Sequence, residues 1–196
     1  MRRNLIGSLA MITGMILSVA ISAPKAARAD SGDPALAMCY RFEAGVFSPY
    51  KKDFSDLTQS AQLNIGLGYD FARSVEKVSR KSVVYGFYGD FSTDEKSGNE
   101  VTKTGIGLIA RYYLNPLNAN SFYIGAGIGG YVVHTKASGF NGSNDSEPGG
   151  KIVVGLEAKN GWFVEGAFTT ISSVNFAASG SNLDPSGYSL MVGTKF

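Results

Sequence analysis

The chain has one cysteine, one histidine and one tryptophan in 196 residues. A single cysteine, Cys39, excludes an intramolecular disulfide, so stability in an oxidising compartment must come from elsewhere. With only His134 beside it, the usual zinc and copper ligands cannot cluster, and metal catalysis is not expected. No cofactor is implied. Charge of one sign is lacking too. The chain has 18 Lys and Arg against 16 Asp and Glu, and four of the bases (Arg2, Arg3, Lys25 and Arg28) fall in the first 29 residues, leaving 14 bases against 16 acids in the remainder. Such a balance gives no nucleic-acid footprint. Beyond the first segment there is no long hydrophobic run and no convincing helical period.

The first segment reads as a secretory signal peptide over residues 1–29. Met1-Arg2-Arg3 is a basic start, Leu5 to Ile21 is apolar apart from small residues, and Ala27-Arg28-Ala29 offers a cleavage site before Asp30. The alternative is an uncleaved membrane anchor, which the diluting Gly7, Ser8, Thr13, Gly14 and Ser18 oppose. Cys39 lies well beyond that site and follows Leu36-Ala37-Met38, so it reads as a structural thiol rather than a lipid attachment point. A short N-terminal segment (30–38) then leads into one domain, 39–196.

What is abundant is glycine, 25 residues, and it keeps phase: Gly66 and Gly68, Gly105 and Gly107, then Gly125, Gly127 and Gly129. Gly125-Ala-Gly127-Ile-Gly129-Gly130 matches a dinucleotide fingerprint, but Phe122-Tyr-Ile before it and Tyr131-Val-Val after it continue one strand with no helix. Alternation of period two predicts eight strands, near 39–50, 60–72, 82–91, 101–114, 121–135, 150–159, 162–175 and 187–196. Polar loops are expected at Lys51–Gln59, Ser92–Glu100, Lys136–Gly149 and Asn175–Ser186. Tighter turns are expected at Asn115–Asn118 and at Asn160-Gly161, a two-residue hairpin signal, with a longer connection at Arg73–Lys81. An even number of long strands, with long loops at one end and short turns at the other, predicts an all-β fold: an eight-stranded antiparallel up-and-down transmembrane barrel. A sandwich is the alternative.

The two differ in which face is wet. The less apolar face carries Arg41, Glu43, Asp70, Arg111, Glu157, Glu165 and Lys195 in mid-strand, mixed in sign and gathered toward the short-turn rim, where they can pair. A narrow lumen also explains glycine opposite large residues. Aromatics cluster at both strand ends, as two interfacial girdles would: Tyr40, Phe42, Phe71, Tyr112, Phe122, Trp162 and Phe196 at one, Phe47, Tyr50, Phe91, Phe168, Phe176 and Tyr188 at the other.

In Gly161-Trp-Phe-Val-Glu-Gly-Ala-Phe168 and in the terminal Tyr188-Ser-Leu-Met-Val-Gly-Thr-Lys-Phe196, the sequence resembles the small eight-stranded outer-membrane barrels of the OmpA, OmpX and OmpW kind. That resemblance covers nearly all of 39–196. It implies a place in the bacterial outer membrane, contact with its lipid, and an assembly signal in Tyr188, Leu190, Val192 and Phe196 for the barrel-assembly machinery. Thr194 stands where many members carry a larger residue. Because such barrels host several activities, three roles are open. The first is structural or surface-interacting, with the polar segments 92–100 and 141–147 offered to an external ligand, a side-chain-filled lumen and no catalysis. The second is a small conduit for ions or apolar solutes. The third is a lipid-modifying hydrolase, for which His134 with Lys136 and Ser138 lacks the His-x-Ser spacing of the outer-membrane deacylases. The first is the expectation.

Overall fold

The computed structural model describes residues 39–75, 82–114, 120–136, 142–176 and 181–196. The expected segments 1–29 and 30–38, the turn at Asn115–Asn118 and Ser138 lie outside the described residues. Eight strands form the wall: β1 (Cys39–Pro49), β2 (Gln62–Val75), β3 (Ser82–Lys96), β4 (Asn99–Tyr113), β5 (Asn120–Lys136), β6 (Ser143–Ala158), β7 (Trp162–Ile171) and, last in the chain, β10 (Gly187–Lys195). Each pairs antiparallel with its neighbour in sequence, and β10 returns to β1, so the sheet is a closed barrel. Closure leaves no edge, which a sandwich cannot achieve.

Alternation decides the two faces. Leu67, Ile106, Ile128, Ile152 and Leu190 point outward and are 57–72% exposed, while Arg41, Asp70, Arg111 and Glu165 point inward and are at most 2% exposed. Apolar out and charged in is the reverse of a water-soluble core. It is the pattern of a barrel whose outer belt meets hydrocarbon. Inside, glycines make room for rings: a Cβ on Gly105 would enter the ring of Tyr131, and one on Gly155 the ring of Tyr123. A small residue opposite a large one is how an eight-stranded lumen fills.

Several expectations are corrected. The segments expected as loops at Ser92–Glu100 and Lys136–Gly149 are largely strand. β3 and β4 run on to a two-residue turn at Ser97-Gly98, both with positive φ (55° and 82°), the geometry that matches strand twist. β5 and β6 stay paired out to Thr135 and Ser143, with 137–141 outside the described residues. Polar residues on both faces masked these extensions: above the membrane a strand has no apolar side to reveal it, yet its backbone groups still need partners. At Asn160-Gly161 the pair is not the centre of the turn. Gly161 N–H donates to Ala158 O at 2.9 Å, and Gly161 alone has positive φ, 89°, so Lys159 and Asn160 are central and the glycine closes a bulge. The strand expected over 162–175 stops at Ile171, whose N–H donates to Ser186 Oγ at 3.0 Å. A separate ribbon, β8 (Val174–Phe176) with β9 (Ser181–Leu183), occupies the connection to β10; 177–180 lie outside the described residues. In the expected loop Lys51–Gln59 a short helix, α1 (Lys52–Leu57), forms. It exists because Phe54, 1% exposed, packs with Val101, Val133, Val174 and Leu183 at the outer mouth. Finally, β2 extends to Val75, past the start of the connection expected at Arg73–Lys81, of which 76–81 lie outside the described residues.

Candidate functional site in the barrel lumen

The lumen is filled by charged side chains in two clusters. The first lies toward the rim of the short turns. Glu165 on β7, 0% exposed, is its centre: Oε2 accepts from Tyr123 OH at 2.8 Å, Arg41 Nη2 at 3.3 Å and Arg111 Nε at 3.4 Å. Asp70 on β2 meets Arg111 Nη1 at 3.3 Å and Lys195 Nζ at 3.4 Å. Lys195 also reaches Glu157 Oε2 at 2.6 Å, and Tyr113 OH donates to that same oxygen at 2.7 Å. Arg41 lies 3.8 Å from the ring centroid of Phe163 and closes the circuit to Glu157 at 3.8 Å. Six of the seven charged residues singled out from the sequence therefore meet in one network of three cations and three anions.

The seventh, Glu43, lies in a second cluster closer to the middle. There Lys151 Nζ holds Asp90 at 2.9 and 3.1 Å and Glu43 at 4.0 Å, beneath Tyr88, whose hydroxyl is 3.0 Å from that of Tyr131. Asp90, Lys103 and Lys151 were not singled out from the sequence. Strand parity carries the signal: Lys103 and Lys151 are eight and six residues before Arg111 and Glu157, on the same faces of β4 and β6, and Asp90 faces inward with Ser82, Val84 and Tyr88. Counted together, Arg41, Lys103, Arg111, Lys151 and Lys195 balance Glu43, Asp70, Asp90, Glu157 and Glu165. The set is neutral as a whole, and all of it but Lys103, which lies over the Phe47 ring, is joined by ion pairs, so little charge is enclosed without a partner.

The remaining residues fall outside the lumen, with one exception. Tyr188, Leu190 and Val192 on β10 and Phe196 just after it face outward, all more than 40% exposed. Phe196 is fixed by its backbone, donating to Tyr40 O at 3.1 Å and accepting from Tyr40 N–H at 2.8 Å. Tyr40, Phe122 and Phe196 at one end and Tyr50, Phe91 and Tyr188 at the other lie outward as girdle residues. Phe47 does not: it is 1% exposed and faces the lumen, because Arg41, Glu43 and Phe47 share one parity on β1. The Phe176 side chain lies outside the described residues. His134 sits on the outside of the extended β5, its Nδ1 2.8 Å from Asn144 Oδ1, and among the described residues it makes no hydrogen bond to a serine hydroxyl.

The family described as "Outer membrane protein beta-barrel domain" matches residues 13–196. The chain is an outer-membrane β-barrel protein. Among curated proteins none matches its sequence. Two solved outer-membrane barrels share the fold. The outer membrane enzyme PagL is 19% identical, with 79% of this chain and 98% of that chain covered at a TM-score of 0.60. Neisserial surface protein A is 13% identical, with 84% and 100% covered at 0.59. Membership places this outer-membrane barrel in the bacterial outer membrane, and the two likenesses agree on architecture, one being to an enzyme and one to a surface protein.

Proposed function

We propose that this outer-membrane barrel is a closed, non-enzymatic envelope protein whose work is done by its surface-exposed end. The observation that carries the reading is the contrast between its two ends. Toward the short-turn rim the lumen is occupied by a balanced network around the fully buried Glu165, which leaves no continuous water path for a solute. At the other end β3, β4, β5 and β6 rise as paired strands beyond the aromatic belt, joined by α1 and the β8–β9 ribbon. Rigid, polar, paired backbone offered to the exterior suits contact with an external ligand better than catalysis, for which no nucleophile and base are brought together among the described residues.

Delivery follows from the same reading: cleavage after Ala29 releases the chain beyond the inner membrane, and the outward face of β10 ending at Phe196 is the segment read by the assembly machinery. Trypsin applied to intact cells tests the orientation. Cleavage at Lys51 or Lys136 with Lys159 protected is expected, and a soluble periplasmic product overturns the reading. In planar bilayers the purified protein is expected to carry no sustained current. Stable single-channel currents would make it a conduit.

A further inference from the structure

The lipid-facing wall is not smooth. An open groove of about 830 Å³ runs over the outer surface from β1 to β5. Its sides are the outward-facing Leu67, Phe87, Ile106 and Leu108, and its floor is main chain at Gly89 on β3 and Gly130 on β5. One row across the sheet holds both glycines: Leu67 pairs with Gly89, Gly89 with Ile106, and Ile106 with Gly130. Phe87 and Leu108 pair in the next outward row toward the short turns. At that end the groove meets Tyr40, Tyr69 and Phe196. Their rings pack together, the centroid of Tyr40 lying 5.0 Å from that of Tyr69 and 6.2 Å from that of Phe196.

The packing of the barrel does not require these two glycines. Inward-facing glycines are forced: a Cβ on Gly105, Gly107 or Gly129 would collide with a ring or with main chain. A Cβ on Gly130 would meet nothing within 4 Å, one on Gly89 nothing closer than 3.7 Å, and neither residue has positive φ. The missing side chains therefore open space outward, where the neighbour is hydrocarbon. An empty furrow there is costly, because the bilayer core has no water to fill it and the atoms along it lose dispersion contacts. A lipid chain on a flat part of the belt touches protein on one side, whereas a chain in the furrow touches a floor and two walls. Lipid tails are as apolar as leucine, so packing rather than hydrophobic transfer separates the two cases. We propose that the groove binds one acyl chain of a phospholipid from the leaflet at the short-turn rim. Strands of such barrels tilt by about 35–45°, so a course across them climbs the belt, as a chain that starts at the interface must. The glycerol end of that chain then lies at Tyr40 and Tyr69, amphipathic rings suited to the membrane–water boundary. A protein partner fits less well, since the outward side chains between that rim and Gly130 offer it no hydrogen-bonding group.

Native mass spectrometry of the full-length barrel, released from detergent micelles after mixing with palmitoyl-oleoyl phosphatidylethanolamine, counts the lipids retained. One per barrel is expected. Gly89→Leu/Gly130→Leu fills the floor with side chains and should lower the affinity at least about tenfold. Gly166→Leu adds like bulk to the outward face of β7, where a Cβ has ordinary room, and should leave retention unchanged. Gly130→Leu alone, with nothing in the way of its Cβ, keeps the test decisive if the double variant fails to fold. Phosphatidylglycerol with the same chains should be retained equally, since the groove holds the chain. No retained lipid, an equal loss in Gly166→Leu, or retention that follows the headgroup overturns the proposal. So does a barrel dimer that the double variant dissociates, which would make the occupant a second copy of this chain.

Discussion

Replacing Glu165 by glutamine removes one charge from the centre of the lumen while keeping shape and volume. In the parent, Oε2 accepts from Arg41, Arg111 and Tyr123. After the change the inner cluster holds Arg41, Arg111 and Lys195 against Asp70 and Glu157, an excess of one positive charge. Removing one partner of a buried pair typically costs about 3–5 kcal/mol. Here Arg111 keeps Asp70 at 3.3 Å, and Arg41 keeps weaker contacts to Asp70 at 4.0 Å and Glu157 at 3.8 Å. That redundancy puts the expected loss near the lower end, about 3 kcal/mol. Lys195→Met is the control: of its two partners, Glu157 is 20% exposed and can recruit water, and the buried Asp70 keeps Arg111 at 3.3 Å, so the loss should be smaller, about 1–2 kcal/mol. Urea unfolding of protein folded into lipid vesicles measures both, with an unchanged slope required for the comparison. A loss below about 1 kcal/mol for Glu165→Gln, or one equal to that of Lys195→Met, would show the inner lumen to be wet and the enclosed-network argument wrong.

Leu108→Arg places a charge on the outward face of β4 and should cost roughly 2–4 kcal/mol if the position is near the bilayer midplane; equal stability in lipid would refute an outward, lipid-facing Leu108. Deleting Phe196 should lower the yield of heat-modifiable barrel in the outer-membrane fraction while export continues, and a normal yield would deny it an assembly role. Gly107→Ala drives a methyl into the Ile128 carbonyl and close to the Tyr88 ring, so a loss of at least about 1 kcal/mol is expected in the same urea assay.

Much of this was legible because membrane strands declare themselves by alternation. Leu63, Ile65, Leu67 and Tyr69 against Gln62, Asn64, Gly66 and Gly68 identify both a strand and its two faces, and the same parity carries Arg41, Asp70, Arg111 and Glu165 into one lumen. Carried further outward, the same parity puts Asp90, Lys103, Lys151 and Phe47 in the lumen as well, a signal that the aromatic clustering at the strand ends hides for Phe47. The extensions of β3 to Lys96 and of β6 back to Ser143 were hidden for a different reason. Outside the hydrocarbon both faces are polar, so Ser-Thr-Asp-Glu-Lys reads as loop although its main chain is fully laddered. The helix at Lys52–Leu57 depends on a tertiary contact of Phe54, and six residues hold too little periodicity to announce it.

The ladders around the wall are unequal in length. Nine register pairs join β1 to β10, eight join β10 to β7, nine join β7 to β6 and nine join β1 to β2. On the opposite side the pairings run to twelve, fifteen, fourteen and sixteen. The cylinder is therefore stiff along one flank and compliant along the other, and the compliant flank contains the joint between the first and last strands. Local opening of the wall is expected first at that joint, while the tall flank, whose additional pairs lie beyond the membrane, holds the exposed hairpins in place.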